Sequence, residues 1–509
     1  MGRIIIGLDF GTTYSGVAWV LDNCPDEPEV ITSWPGRGNR TSPKVPSIVS
    51  YSNGKFLWGY QATLFGENIR GIKLLLDVSQ SEEVASALSS VELLKQNQKT
   101  AVQVAGTYLK QLVYNANQTL DRRFGTAVKS MDRQYILTTP AVWSDKAKDA
   151  TLTAAVNAGI ARHEIALISE PEAAALYCMH AIQPNTIRNG DVVVVCDAGG
   201  GTVDLISYCV KTVSPLSLEE VVEGSGGICG SMVLDVRFNE LLDELIGKNK
   251  IPINSREMAL KFWQEDIKPN FANDLDDKDE THFIPLPGVK DNRKISLRDG
   301  FLKLDGSRHY LIQDQVHGAQ ASKNTVMAIL LVGGSGSSEY LFQRIKKAHR
   351  GITVMQPPNS WSAVMLGAVQ HGIEGNRVGK RIARRHYGVQ FRSDSSAYNG
   401  RFPDVKREWC RLNETWYLPG VMNWYIHKGG EISEGSPICM PFSRSIAVEN
   451  ASTMIFSDPL LVCNRKSSPE RVEDTVFQIC TLETDLSRVP AYLFDLRKNS
   501  CGQKFYKVN

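Results

Sequence analysis

A glycine-rich hairpin that occurs twice constrains this chain more than any other feature. In IIIGLDFGTTYSGVAWV an apolar run from residue 4 leads into Asp9, the turn Gly11, Thr12, Thr13, Tyr14 follows, and residues 16–20 return as a second apolar strand. In DVVVVCDAGGGTVDLISY the order recurs: an apolar run at 192–196, Asp197, the run Gly199, Gly200, Gly201, then Thr202 and Asp204 at the start of the next strand. Glycine lets backbone amides approach an anion closely, and successive N–H groups with threonine hydroxyls can cradle phosphate oxygens. The carboxylates of Asp9 and Asp197 would repel such a phosphate. A divalent cation between them resolves the conflict, for Mg²⁺ mainly through water. Two hairpins of the same chemistry, one in each of two lobes, can grip one polyphosphate from both sides.

Strand and helix signals alternate from the start to about residue 372, which is the pattern of an α/β fold. Residues 134–139, 164–169, 192–197 and 327–332 are short apolar runs that end at turn residues, as buried strands do. Ser144 and Asp145 offer N-cap chemistry to a helix that Gly159 closes; residues 232–246, closed by Gly247, and 255–268 read as further helices, and NDLDDKDE after them as a solvated acidic loop. AILLVGGSGSSEYLFQRI puts Gly333, Gly334 and Ser335 at a strand end, before a helix expected to begin near Ser337. Close backbone approach there suits a flat base or ribose. The basic run GNRVGKRIARR, residues 375–385, reads as a solvated linker and marks a domain boundary. Beyond it the chain is rich in alternating segments, aromatics and Gly/Pro turns, and MNWYIHKGGEIS followed by ICMPFSRSI reads as paired strands.

The bulk numbers narrow the classes further. The 509 residues are 42% hydrophobic and 22% charged, ordinary for soluble globular protein. A net charge of +2 builds no dominating field, so neither nucleic acid nor membrane is an expected partner. No apolar run approaches membrane-spanning length, and the first ten residues lack the long apolar stretch of a signal peptide. The ten cysteines show no CxxC and no Cys/His pair at metal spacing, which fits reduced thiols. The expected compartment is the cytoplasm, with the nucleus also compatible.

The segments LDFGTTYSG, TTPAVWSDKAKDA, LISEPEAAALY, CDAGGGTVD and LVGGSGSS stand in the order and near the spacing of the seventy-kilodalton heat-shock family. The chain resembles that family over residues 1 to about 372, and within it the divergent cytosolic subgroup well represented in fungi. The resemblance implies a two-lobed actin-like ATPase fold of duplicated ribonuclease H-like lobes: lobe I over 1–188, and lobe II over 189–375 with its last helix returning towards lobe I. Residues 376–509 would be a smaller β-rich region similar to a chaperone substrate-binding subdomain. It implies ATP or ADP with Mg²⁺ as cofactors, Asp9 and Asp197 organising the ion and its waters, and the two glycine turns holding the β- and γ-phosphates. Glu170 of SEPEAAA falls on the family's water-positioning glutamate, and Asp204 on its second acidic residue. Lys73 of GIKLLLD falls on a lysine that stabilises charge developing at the γ-phosphate. Pro140 and Lys148 match the proline and arginine that relay nucleotide state to the partner domain, a lysine there keeping the charge without the planar head of arginine.

The chain departs from the pattern in several places. A basic stretch stands where the family has a leucine-rich acidic linker, no helical lid is recognisable, and the segment between Leu304 and Met327 is shorter than the family's by about a helix. Ser231 replaces the glycine beside Gly230, and Gly336 and Ser337 stand where a threonine and an adenine-stacking arginine are usual. Lys261 and Lys268 lie on the helix that ought to contact the nucleoside. The expected function is that of a chaperone-like protein that hydrolyses ATP slowly and uses lobe closure to control a protein partner, with client proteins and co-chaperones as partners. One alternative is a nucleotide-responsive scaffold without turnover. A second is a small-molecule kinase of the same superfamily, against which a water-positioning Glu170 argues.

Overall fold

A continuous apolar run gives the first strand two buried faces. In β1 (Ile4–Asp9), Ile4, Ile6 and Leu8 join one core cluster and Ile5 the opposite one. β1 pairs antiparallel with β2 (Tyr14–Leu21), which continues to β3 (Glu29–Val30), and parallel with β4 (Arg133–Thr139), which continues to β5 (Ile165–Ser169). The same arrangement returns later in the chain. β6 (Val192–Ala198) pairs antiparallel with β7 (Val203–Val213), which continues to β8 (Leu216–Glu220), and parallel with β9 (Val326–Val332), which continues to β10 (Thr353–Met355). The spatial orders 3-2-1-4-5 and 8-7-6-9-10 are thus one topology used twice. These elements belong to a computed structural model that describes residues 2–508 other than 53, 63–66, 78–84, 183–186, 272–280, 306–325, 399, 440–442 and 452–453. The chain divides into two units, Met1–Val378 and Gly379–Asn509.

Within the first unit, α1 (Ala101–Phe124) and α2 (Asp145–Asn157) cover one face of the first sheet, where Tyr108, Leu109 and Leu112 are fully buried. Ser144 caps α2 by accepting from the Ala147 amide, as its sequence requires. The opposite faces of both sheets are covered by two helices in direct contact, α3 (Glu170–Ala181), which follows β5, and α7 (Ala363–Glu374), which follows β10. α7 crosses back onto β1, β2 and β4, while α3 reaches β6 and β7. Their approach needs bare backbone. A Cβ on Gly367 would stand 1.7 Å from the Ala173 carbonyl oxygen, and one on Gly7 of β1 would stand 2.4 Å from that of Met365. Apart from these layers, α4 (Ser231–Ile246) and α5 (Ile253–Phe262) enclose a separate core, in which Phe238 stacks at 4.8 Å on Trp263, the residue after α5. The run expected at 255–268 therefore starts two residues earlier and continues through a π-helical turn, Trp263–Ile267, to Asn270. α6 (Glu339–Ala348) starts behind Ser338, whose hydroxyl accepts from Leu341. Among the described residues no helix is long and apolar enough to cross a membrane.

Two expectations are corrected here. The basic run at 375–385 is not a linker. It contains β11 (Val378–Ile382), whose residues 380–382 pair antiparallel with β15 (Glu431–Ser433) and whose Lys380 meets Glu431 at 2.9 Å. Val378 is fully buried, and the strand ladder with the Lys380–Glu431 pair accommodates the local charge. The segments MNWYIHKGGEIS and ICMPFSRSI do not pair with each other among the described residues. The first ends β14 (Thr415–Ile426), which lies between β12 (His386–Asp394) and β13 (Glu408–Cys410). The second ends in β16 (Arg444–Ala447), which pairs with β20 (Lys504–Val508). The rest of the second unit is β17 (Ile455–Cys463) beside β12, β18 (Val476–Asp485) beside β17, and β19 (Asp495–Lys498) beside β20. The acidic loop at 273–280 and most of the shortened segment between Leu304 and Met327 lie outside the described residues.

Candidate active site

Each hairpin turn is fixed by a different piece of neighbouring chain. In the first, the strand register sets Asp9 opposite Gly16. Ser47 clamps the turn: its amide donates to Thr13 O at 2.8 Å and its hydroxyl to Gly11 O at 2.7 Å. Tyr108 of α1 in turn donates to Pro46 O at 3.1 Å, tying the clamp to the core. In the second, Asp197 stands opposite Asp204. The carbonyls of Gly199, Gly200 and Gly201 accept from the amides of Ser231, Met232 and Gly230 at 3.2, 2.8 and 3.1 Å, so the N-terminus of α4 holds this turn by its backbone. Ser231 therefore keeps the contact that matters at its position, because only its amide is used.

The two turns face each other. A Cβ on Gly200 would stand 2.1 Å from Thr13 Oγ1, and one on Gly201 2.6 Å from Thr12 Oγ1. The third turn joins them: Ser335 and Gly336 donate amides to Ala198 O at 2.9 and 3.2 Å, and Gly333 lies so close to Asp197 that a Cβ would be 2.4 Å from its Oδ1. The structure thus brings Gly11–Tyr14, Gly199–Thr202 and Gly333–Ser335 to one place. Two of the hydroxyls are already engaged, since Ser335 donates to Gly199 O at 3.2 Å and Thr202 bonds Asp204. Of the helix lysines, Lys268 is held by Asp235 at 2.8 Å, and Lys261 lies on the surface with Glu265 at 4.0 Å.

The closest backbone approach gives a direct test. A Cβ on Gly230 would stand 2.5 Å from the Gly200 carbonyl, where neither side is a movable side chain. Gly230→Ala is expected to cost about 1–3 kcal/mol, read as a lower unfolding midpoint of the full chain. An unchanged midpoint would show that α4 does not clamp the second turn.

Around the turns lies a buried acid cluster. Glu170 opens α3, where Ser169 accepts the Glu172 amide, and Lys73 Nζ donates to Glu170 Oε1 with the Trp143 ring 5.5 Å from the ammonium. Burial pushes the Glu170 carboxyl up to about 7; Lys73 pulls it down, and the Asp9 and Asp204 charges push it further up. Asp204 accepts the Val142 amide at 3.3 Å, just past buried Pro140, and burial raises its carboxyl too. Lys148 sits near the start of α2, its amide on Ser144 O at 3.0 Å. Asp9 accepts from Lys44 Nζ at 2.6 Å. Asp197 has no ion-pair partner among the described residues, and burial, then Glu170, Asp204 and Asp9, raise its carboxyl well above the aspartate range.

Four buried carboxylates against two lysines leave two negative charges uncompensated when all are ionised. Hard oxygen donors with that deficit fit one divalent cation of the Mg²⁺ type. No three His, Cys, Asp or Glu side chains converge for direct ligation among the described residues, so the fit is to an ion held largely through water. Sequence reasoning missed three members of this site: Lys44, Ser47 and Trp361. The partly buried Trp361 meets Tyr14 edge-on at 5.7 Å, and its indole would lie 3.4 Å from a Cβ on Gly334.

Comparison with known proteins bears on these same residues. The family model for the Hsp70 protein matches residues 5–211, which hold both hairpins, Lys73 and Glu170. The chain is similar to the Hsp70 family, as a divergent relative, most clearly over residues 5–211. Its doubled sheet topology is that of the actin-like ATPase fold. The C-terminal unit matches a domain of unknown function (DUF8568) over residues 381–509. Human heat shock 70 kDa protein 12B is 24% identical, over 80% of this chain and 74% of its own length. Mouse heat shock 70 kDa protein 12A is 25% identical over 49% of this chain, and the match spans 46% of that relative. The chaperone protein DnaK of Carsonella ruddii is 27% identical over 72% of this chain and 63% of its own length.

Proposed function

We propose that this chain binds ATP or ADP between its two glycine turns and hydrolyses ATP slowly, using lobe closure to regulate a protein partner such as a client or co-chaperone. The observation that carries the reading is the meeting of two equivalent turns, Thr12 and Thr13 against Gly201 and Gly200, directly beside a buried cluster of acids and lysines. Backbone amides and threonine hydroxyls of the turns receive the phosphates. Mg²⁺, when bound near Asp197 and Asp9, would neutralise charge on the β- and γ-oxygens. Glu170 orients the attacking water and accepts its proton, Lys73 moves from Glu170 towards the charge that builds on the γ-phosphate, and Asp204 holds the Pro140 segment in place. Pro140 and Lys148, at the entry to α2, relay the closed state. The cytoplasm is the compartment that suits this chemistry.

A second reading is favoured by one specific contact. The Lys73–Glu170 pair occupies both groups that the hydrolytic step needs, and if phosphate does not draw Lys73 away, the chain binds nucleotide without turning it over. Single-turnover ADP formation on the full chain separates the readings. Slow formation that needs no added acceptor supports the ATPase. Bound ATP that stays intact supports the scaffold, and phosphate recovered on a sugar or polyol from a panel would mean a kinase.

A further inference from the structure

The buried lysine on Asp9 has no part in the scheme above, and its position is built. Lys44 is 6% exposed and follows a backbone held at both edges: its carbonyl accepts the Ser42 hydroxyl at 2.8 Å and the Tyr60 hydroxyl at 3.1 Å. Its stem runs over Gly16, the register partner of Asp9, where a Cβ would crowd Lys44 Cγ at 3.1 Å. The missing side chain at Gly16 is what lets the ammonium reach Asp9 Oδ2 at 2.6 Å. Three residues further on, Ser47 clamps the first phosphate turn, so the segment that supplies the charge also shapes the cradle. Asp197, the equivalent strand-end carboxylate of the second hairpin, forms no ion pair among the described residues and feels the Lys44 charge only at longer range. The two halves of the site are therefore chemically unequal.

We infer that Lys44 is a built-in counter-ion of the first hairpin. It shares with the divalent cation the neutralisation of Asp9, so that a nucleoside polyphosphate enters with reduced dependence on divalent metal, and more of the ion requirement rests on the Asp197 side. The inference depends on the nucleotide reading of the cleft. An ammonium in a short ion pair removes the repulsion that an unpaired Asp9 would exert on the phosphates, and in a poorly screened cleft that repulsion is substantial.

The test is calorimetric titration of ATP into the full chain, once in Mg²⁺ and once in excess EDTA, for wild type, Lys44→Met, and the double variant Asp9→Asn/Lys44→Met. In Lys44→Met the ratio of the metal-free to the Mg²⁺ Kd widens by about tenfold or more, the factor expected from one added charge several ångströms from the phosphates. The double variant, which has lost both charges, returns to a ratio near that of wild type. It also serves as the folding control, because it adds no unpaired charge to the core. A ratio that Lys44→Met leaves unchanged, or that the double variant fails to restore, overturns the role of Lys44 while wild-type binding in Mg²⁺ keeps the cleft reading. A folded wild type that binds ATP in neither buffer overturns both.

Discussion

Asp197→Asn is expected to weaken Mg²⁺-dependent binding of ATP or ADP by about a hundredfold while raising the unfolding midpoint of the metal-free protein. The two effects share one cause. Asp197 is 5% exposed, has no ion-pair partner among the described residues, and faces Glu170, Asp204 and Asp9, so burial and like charge both oppose its ionisation. Its carboxyl titrates higher in the folded chain than in the unfolded one. Stability is therefore lost as pH rises from the ordinary aspartate range towards the folded value, and above that range the carboxyl is a net cost to the apo fold. Asparagine keeps the shape and removes that cost, and with it the charge that attracts the cation. Calorimetry with and without Mg²⁺, beside thermal unfolding, reads both. Unchanged metal dependence would remove Asp197 from the ion's site, and a lower midpoint would show that the carboxylate has a stabilising partner.

Glu170→Gln is expected to slow single-turnover ATP hydrolysis by about a hundredfold or more and to leave nucleotide affinity little changed. Glutamine still offers Lys73 an amide oxygen, so the buried ammonium keeps a hydrogen-bond acceptor and the fold is preserved. What it cannot do is take a proton from water. Because burial holds the Glu170 carboxyl at about 7, its ionised fraction grows as pH rises through that value. The wild-type rate should climb from pH 6 towards pH 8 and then level, and the Gln variant should be flat across the same range. A wild-type rate independent of pH there, or a variant as fast as wild type, would take Glu170 out of the chemistry.

What the sequence made legible was local, and what it hid was pairing over distance. Each phosphate hairpin is written into a few consecutive residues, because a strand-end aspartate, a glycine turn and a returning apolar strand are neighbours in the chain. Ser144 announces its helix in the same way, by capping the amide three residues on. Lys73 and Glu170 lie 97 residues apart, and Lys44 and Asp9 lie 35 apart, so no periodicity links them. The only mark on Lys44 is a lysine set among Pro43, Val45 and Pro46, in a segment too short to show a buried face. In the second unit, MNWYIHKGGEIS and ICMPFSRSI read as paired strands, yet Gly429 and Gly430 inside the first segment end one strand before the next begins. Their backbone in fact bonds Ala383, at 2.7 and 2.8 Å, because the partner strand is β11 and not the next strand in the chain. A strand pattern reveals that a segment is extended and which face is apolar, but it does not reveal the neighbour.

The central claim is that one nucleotide is held between Gly11–Tyr14 and Gly199–Thr202. Calorimetric titration of Mg-ATP into the purified 509-residue chain tests it most directly. Saturable binding at one site per chain, weakened by Asp197→Asn, is the predicted result. No heat of binding from a folded sample, or binding that Asp197→Asn leaves untouched, would contradict it.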